Sequence, residues 1–179
     1  MRTHLAAAAA ILLVLAPLST LEAQDPPDLS GSWTLSSTEG GTEGPRGQMG
    51  QRGQMAQRGG MGMMAGLGPQ VTLVHEANML TVVRTTRAGE LRQAYRLDGS
   101  ESRNQLSMGD QQMEVVSHAE WEEDALVIVT QLPMGGGQAE TEMRLTLDAA
   151  GVLVVETRRS GGMGGQGGGV VTTRYTKEG

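Results

Sequence analysis

Three groups of side chains in this 179-residue chain have types and spacings suited to chemistry. Met61-x-Met63-Met64, with Met49 and Met55 upstream, offers thioether sulfurs, soft ligands that suit Cu(I), on a glycine-rich stretch able to wrap one ion. The same methionines equally suit adaptable apolar contact with a partner or a bound molecule. His118-x-Glu120-x-Glu122 places three metal-ligand types on one strand face, but Glu114 shares that face, which fits a solvated acidic surface. Ser117, Ala119 and Tyr95 belong to alternating strand patterns that turn them inward, where they would line the interior of a barrel and touch a bound molecule. Catalytic signatures are missing: the sequence has no Gly-x-Ser-x-Gly elbow, no phosphate loop, no His-Glu-x-x-His pair and no cysteine. The expectation is a protein that is not an enzyme and needs no cofactor.

The elements that would position these residues are short strands. Leu29 to Leu35 opens the series, with Gly31 giving a bendable backbone ahead of Trp33. Gln70 to Glu76 and Met79 to Arg87 are separated by the tight pair Ala77-Asn78, and Leu91 to Leu97 alternates Leu91, Gln93, Tyr95 and Leu97 against Arg92, Ala94 and Arg96. Asp98-Gly99 reads as a turn, and a weak strand covers Ser102 to Met108. Met113 to Glu122 turns Val115, Ser117, Ala119 and Trp121 one way and Glu114, Val116, His118, Glu120 and Glu122 the other. Ala125 to Leu132, Ala139 to Leu147, Val152 to Arg158 and Val170 to Thr176 complete the series. Hairpin-length connections and the lack of any helical segment predict an all-β fold, an antiparallel up-and-down β-barrel of roughly 8–10 strands. Closure would remove the exposed edges of the Val-rich strands.

Residues 1–23 have the form of a signal peptide, with Arg2, an apolar run from Leu5 to Leu18, and Leu21 and Ala23 at the positions that precede cleavage. An exported chain with periplasmic or secreted destination follows, with residues 24–179 as a single domain and no membrane span in the mature part. Without cysteine, packing alone must hold that domain, and with no Phe the interior falls to Val, Leu, Met, Trp33 and Trp121. A formal net charge of −6 argues against a nucleic-acid partner.

Between the first two strands, residues 39–69 form a low-complexity Gly/Met/Gln-rich insertion with a hexad repeated at Arg46, Arg52 and Arg58; its glycine load opposes regular structure and predicts a disordered loop. In an up-and-down barrel this insertion shares an end with Arg87 to Glu90, Met108 to Met113, Pro133 to Gly137 and Gly161 to Gly169. The opposite end carries tight acidic turns.

Gly31-Ser32-Trp33 resembles the Gly-x-Trp signature that opens the first strand of calycins, the lipocalins and fatty-acid-binding proteins. The closing run Thr172-Thr173-Arg174-Tyr175-Thr176-Lys177 is similar to their last strand, and the insertion occupies the place of their lid. Leu97-Asp98-Gly99-Ser100 and Trp121-Glu122-Glu123-Asp124-Ala125-Leu126 resemble phrases of exported bacterial barrel proteins. The resemblance implies a calycin-like barrel whose base is closed by Arg174 stacked on Trp33. It does not carry over the inward Arg-Tyr pair of fatty-acid-binding proteins, because Arg174 and Tyr175 are adjacent and face opposite sides of a strand. Three readings of function follow: a carrier of a small apolar or amphipathic molecule with the insertion as lid, a methionine-rich copper-binding protein of the envelope, and a structural or partner-binding module.

Overall fold

A computed structural model describes residues 26–40, 66–86, 89–108, 111–134, 137–161 and 169–179. Within them ten strands form one antiparallel sheet: β1 (Gly31–Gly40), β2 (Gln70–Glu76), β3 (Met79–Thr86), β4 (Gly89–Arg96), β5 (Asp98–Met108), β6 (Gln111–Glu122), β7 (Ala125–Met134), β8 (Gly137–Leu147), β9 (Leu153–Ser160) and β10 (Val171–Lys177). Sheet order is β4-β3-β2-β1-β10-β9-β8-β7-β6-β5, so each strand pairs with its sequence neighbour and β10 returns to β1. This is the all-β antiparallel up-and-down barrel expected from the sequence, closed everywhere except between β4 and β5.

The turns at one end are built by local chemistry. Ala77 and Glu123 adopt left-handed φ of 46° and 58° in two-residue hairpins, the backbone that matches the right-handed twist of paired strands. Asp148 organises the β8–β9 turn, its Oδ1 accepting from the amides of Ala150 and Val152, each at 2.9 Å.

Three sequence boundaries move. The Asp98-Gly99 turn lies inside β5, which runs from Asp98 with a bulge between Asp98 and Glu101; the β4–β5 connection is the buried Leu97 alone. At its start, the insertion is shorter than residues 39–69, because Glu39 and Gly40 stay in β1, paired with Thr172 and Val171. At its end, Leu67 is buried in the core and Pro69 O accepts from Leu35 N at 2.9 Å. Residues 41–65 lie outside the described residues, and with them the lid and the methionine ligands Met49, Met55, Met61, Met63 and Met64.

Apolar side chains fall into two buried clusters. The larger gathers Leu29, Trp33, Leu73, Leu80, Tyr95, Leu126, Leu145 and Leu153 with their neighbours at the end of the tight turns. The smaller, Val115, Leu132 and Ala139 with Leu106 and Met113, lies toward the other end. Trp33 anchors the first: it is 2% exposed, and its indole Nε1–H donates to Leu29 O at 3.1 Å.

Candidate ligand site in the barrel interior

Cross-strand register explains why the two clusters stay separate. Ser102 pairs with Ser117, Ser117 with Thr130, and Thr130 with Thr141, so four hydroxyls run straight across β5 to β8. On one side of this row lie Ala119, Ile128 and Met143; on the other lie Val115, Leu132 and Ala139. Ser117 and Thr130 hydrogen-bond each other at 2.8 Å, whereas the buried hydroxyls of Thr141 and Thr157 have no partner among the described residues. Hydroxyls buried without partners cost stability. Thr141 lies in the hydroxyl row, which forms a polar belt in the wall, and Thr157 lies beside it, opposite Met143 on β8.

The β1–β4 half of the barrel contributes a charge. Leu80, Val82 and Arg84 alternate inward along β3, and the Arg84 guanidinium donates through Nη2 to Oε1 of buried Gln93. Among the described residues its Nε is buried without a partner and no carboxylate lies within ion-pair distance. Desolvation pushes the Arg84 pKa down, while Tyr95 and Tyr175 act in the opposite sense. An arginine stays charged under such a shift, so the interior holds a cation with an idle donor.

Two tyrosines and a short strap complete the surroundings. The Tyr175 hydroxyl accepts from the Leu67 amide at 3.0 Å, and Thr173 donates to Val155 O at 3.3 Å. Gly66 and Gly68 flank Leu67 with φ of 84° and 90°. A side chain at Gly66 would meet Thr173 Oγ1 at 3.0 Å and the Tyr175 hydroxyl at 3.1 Å, and one at Gly68 would reach the Arg84 stem at 3.9 Å. The strap thus passes between β10 and Arg84 and drives Leu67 into the core. Tyr175→Phe leaves the buried Leu67 amide without its acceptor, and should lower stability by roughly 1–3 kcal/mol in urea unfolding; an unchanged midpoint would show that the strap is held by packing alone.

Tyr95 gives a pH signature. Burial pushes its phenol up from 10.0 to about 12, partly offset by Arg84. The unfolded chain ionises this group near its ordinary value, so Tyr95 contributes stability below about pH 10 that is lost as pH rises toward 12. Thermal melts across that window should fall more steeply for wild type than for Tyr95→Phe. Parallel curves would contradict the burial of the hydroxyl.

The residues expected from the sequence to line the interior sit there: Ser117 and Ala119 are fully buried on β6, and Tyr95 is buried on β4. They do not form one contact group. Ser117 belongs to the hydroxyl row, while Ala119 and Tyr95 belong to the larger apolar cluster. Arg174 is corrected. The register sets Trp33 opposite Lys177 and Arg174 opposite Ser37, on the outward parity of β10, and Lys177 Nζ lies 5.5 Å from the centre of the Trp33 ring. Lys177 closes the base by the cation–π contact expected of Arg174. Gly31 suits this position because its φ of 144° is one that residues with a side chain rarely adopt, and a Cβ there would also displace the end of the Lys177 side chain.

On the outer face, the His118-x-Glu120-x-Glu122 side chains are engaged apart. His118 Nδ1 is 3.1 Å from Gly99 O, and Glu122 accepts from Arg144 at 2.7 Å. A second His neighbourhood, Asp28, Ser30 and His75, brings together the residue types of a catalytic triad in a different geometry. Ser30 Oγ accepts from the His75 backbone amide at 3.0 Å, and the imidazole packs 5.8 Å from the Trp121 ring. No hydroxyl proton is offered to the ring.

Among solved structures the chain is similar to fatty-acid-binding protein 1 of Echinococcus granulosus, at 14% identity and a TM-score of 0.49 over 84% of this chain and 98% of that one. No protein-family model and no curated protein sequence matches the chain.

Arg84 was missed in the sequence, although its phase with Leu80 and Val82 marks it as inward. The Leu67 strap carries no such mark, because Gly66-Leu67-Gly68 closes a run of glycines and methionines. Among the described residues no helix is long and apolar enough to cross a membrane.

Proposed function

We propose that the protein is an exported, non-enzymatic barrel that binds a small amphipathic anion. The head group is taken by Arg84 beside Gln93, Tyr95 and Tyr175, and the apolar part lies along Val115, Leu132 and Ala139. One observation carries this reading: a half-buried guanidinium that, among the described residues, has no carboxylate partner and a buried Nε without a partner. Such a charge is costly to maintain unless an anion meets it for part of the protein's life. The unpartnered Thr141 and Thr157 hydroxyls add acceptors and donors for the polar part of the same molecule.

Export is supported by the leader pattern of residues 1–23. The absence of a reaction is supported by Ser30, whose hydroxyl is taken up by backbone groups of His75, at 3.0 Å from N and 3.4 Å from O.

Laurate and dodecanol share a chain and differ in the charge of the head. In displacement of an environment-sensitive fluorescent amphiphile at pH 8, laurate should compete about tenfold or more better than dodecanol. Equal competition, or none by either, would remove the anion site.

A further inference from the structure

The β4–β5 seam is the one place among the described residues where neighbouring strands share no ladder, and it is fastened by side chains instead. The Asn104 amide imitates a strand. Its Oδ1 accepts from the Ala94 N–H at 2.8 Å and its Nδ2 donates to the Ala94 carbonyl at 3.0 Å. One pleat further, the Ser102 hydroxyl accepts from the Arg96 N–H at 2.9 Å. Both side chains are buried, Asn104 at 7% and Ser102 at 6% exposure. Releasing a ladder means breaking a cooperative row of backbone bonds, whereas releasing this seam means turning two side chains.

Outside the fastening lies a groove of about 510 Å³ lined by Met79, Ala94, Arg96, Glu101, Ser102 and Arg103. Met79 and Ala94 make one apolar wall. Arg103 is held by Glu101 at 2.6 Å and Glu114 at 2.9 Å on the other, and Arg96 adds a second cation. Ser102 belongs both to the groove and to the hydroxyl row inside the barrel, so the seam joins the outer surface to the polar belt.

We propose that this seam is the site where the amphipathic anion crosses the barrel wall: its head group is collected at Arg96, its chain rests on Met79 and Ala94, and it passes inward when Asn104 releases Ala94. The inference rests on the Arg84 reading, and it names the route to that site. A fastening that lies on the path but not in the bound state governs entry and exit alike. Weakening it must therefore speed both rates by the same factor and leave the affinity unchanged.

The test is stopped-flow exchange of laurate on the full exported chain, with hydrogen exchange of the Ala94 and Arg96 amides read by NMR. Asn104→Ala should raise the laurate on- and off-rates together by about tenfold, hold Kd within about twofold, and speed Ala94 exchange by a similar factor. Ser102→Ala, a smaller change that keeps the seam testable if Asn104→Ala does not fold, should act in the same sense on Arg96 and on both rates. Faster amide exchange with unchanged laurate rates in these variants would overturn the route and leave the Arg84 site standing. A wild type that does not bind laurate would overturn both.

Discussion

Arg84→Met lowers laurate affinity by about 10- to 100-fold while leaving dodecanol affinity within about twofold. Methionine keeps most of the apolar stem and deletes the charge, so the change separates head-group capture from packing. The same substitution should leave the ligand-free barrel at least as stable as before, because it replaces a half-buried guanidinium that has no carboxylate partner among the described residues. A site kept for binding shows this opposition, weaker binding together with equal or greater stability. A structural arginine would show the reverse: urea unfolding of Arg84→Met at a clearly lower midpoint would mean that the guanidinium holds Gln93 and the wall in place.

Trp33→Ala has the largest expected effect on stability. The ring is 2% exposed, hydrogen-bonded to Leu29 O, covered by Lys177, and surrounded by the larger apolar cluster. Truncation leaves a cavity that strand backbones held in ladders cannot close, at a cost of roughly 3–5 kcal/mol. In a domain without disulfides that is a large share of a typical total of about 5–15 kcal/mol. Urea unfolding followed by circular dichroism reads it directly, and a loss below about 1 kcal/mol would contradict the assignment of Trp33 as the plug of the barrel base. Lys177→Ala, which removes only the cation over the ring, should cost about 0.5–1 kcal/mol.

The strands were legible because their signals are local. Alternation along Met113 to Glu122 and along Leu91 to Leu97 reports which side chains turn inward, and the structure buries Val115, Ser117, Ala119, Gln93 and Tyr95 accordingly. Turn chemistry at Ala77-Asn78 and Glu123-Asp124 fixed the hairpins that set the neighbouring pairs. Composition also located the insertion, though not where it ends, since Leu67 enters the core from a stretch whose glycines look uniform.

What depends on register was not legible. Whether Arg174 or Lys177 covers Trp33 is decided by the pairing of β1 with β10 and by the shift between Leu35 and Ser37, neither of which leaves a trace in the spacing of the two cations. The hydroxyl row across β5 to β8 exists only once four strands are aligned, because Ser102, Ser117, Thr130 and Thr141 are each unremarkable alone. Asn104 reads as a poor strand residue and weakens the sequence signal of β5. Its value lies in the seam, where a side-chain amide replaces a missing ladder. Arg84 stands between these cases, since its inward phase is visible but the lack of a carboxylate beside it among the described residues appears only once the strands are paired.

The central claim is that the head group of an amphipathic anion sits on Arg84, and the arginine Nε–H resonances of the ¹⁵N-labelled chain test it most directly. The resonance that vanishes in Arg84→Met identifies the group. On addition of laurate to the wild type that resonance should shift, while dodecanol leaves it in place. Laurate bound with the Arg84 Nε–H unmoved would contradict the account, because the anion would then be held elsewhere in the barrel.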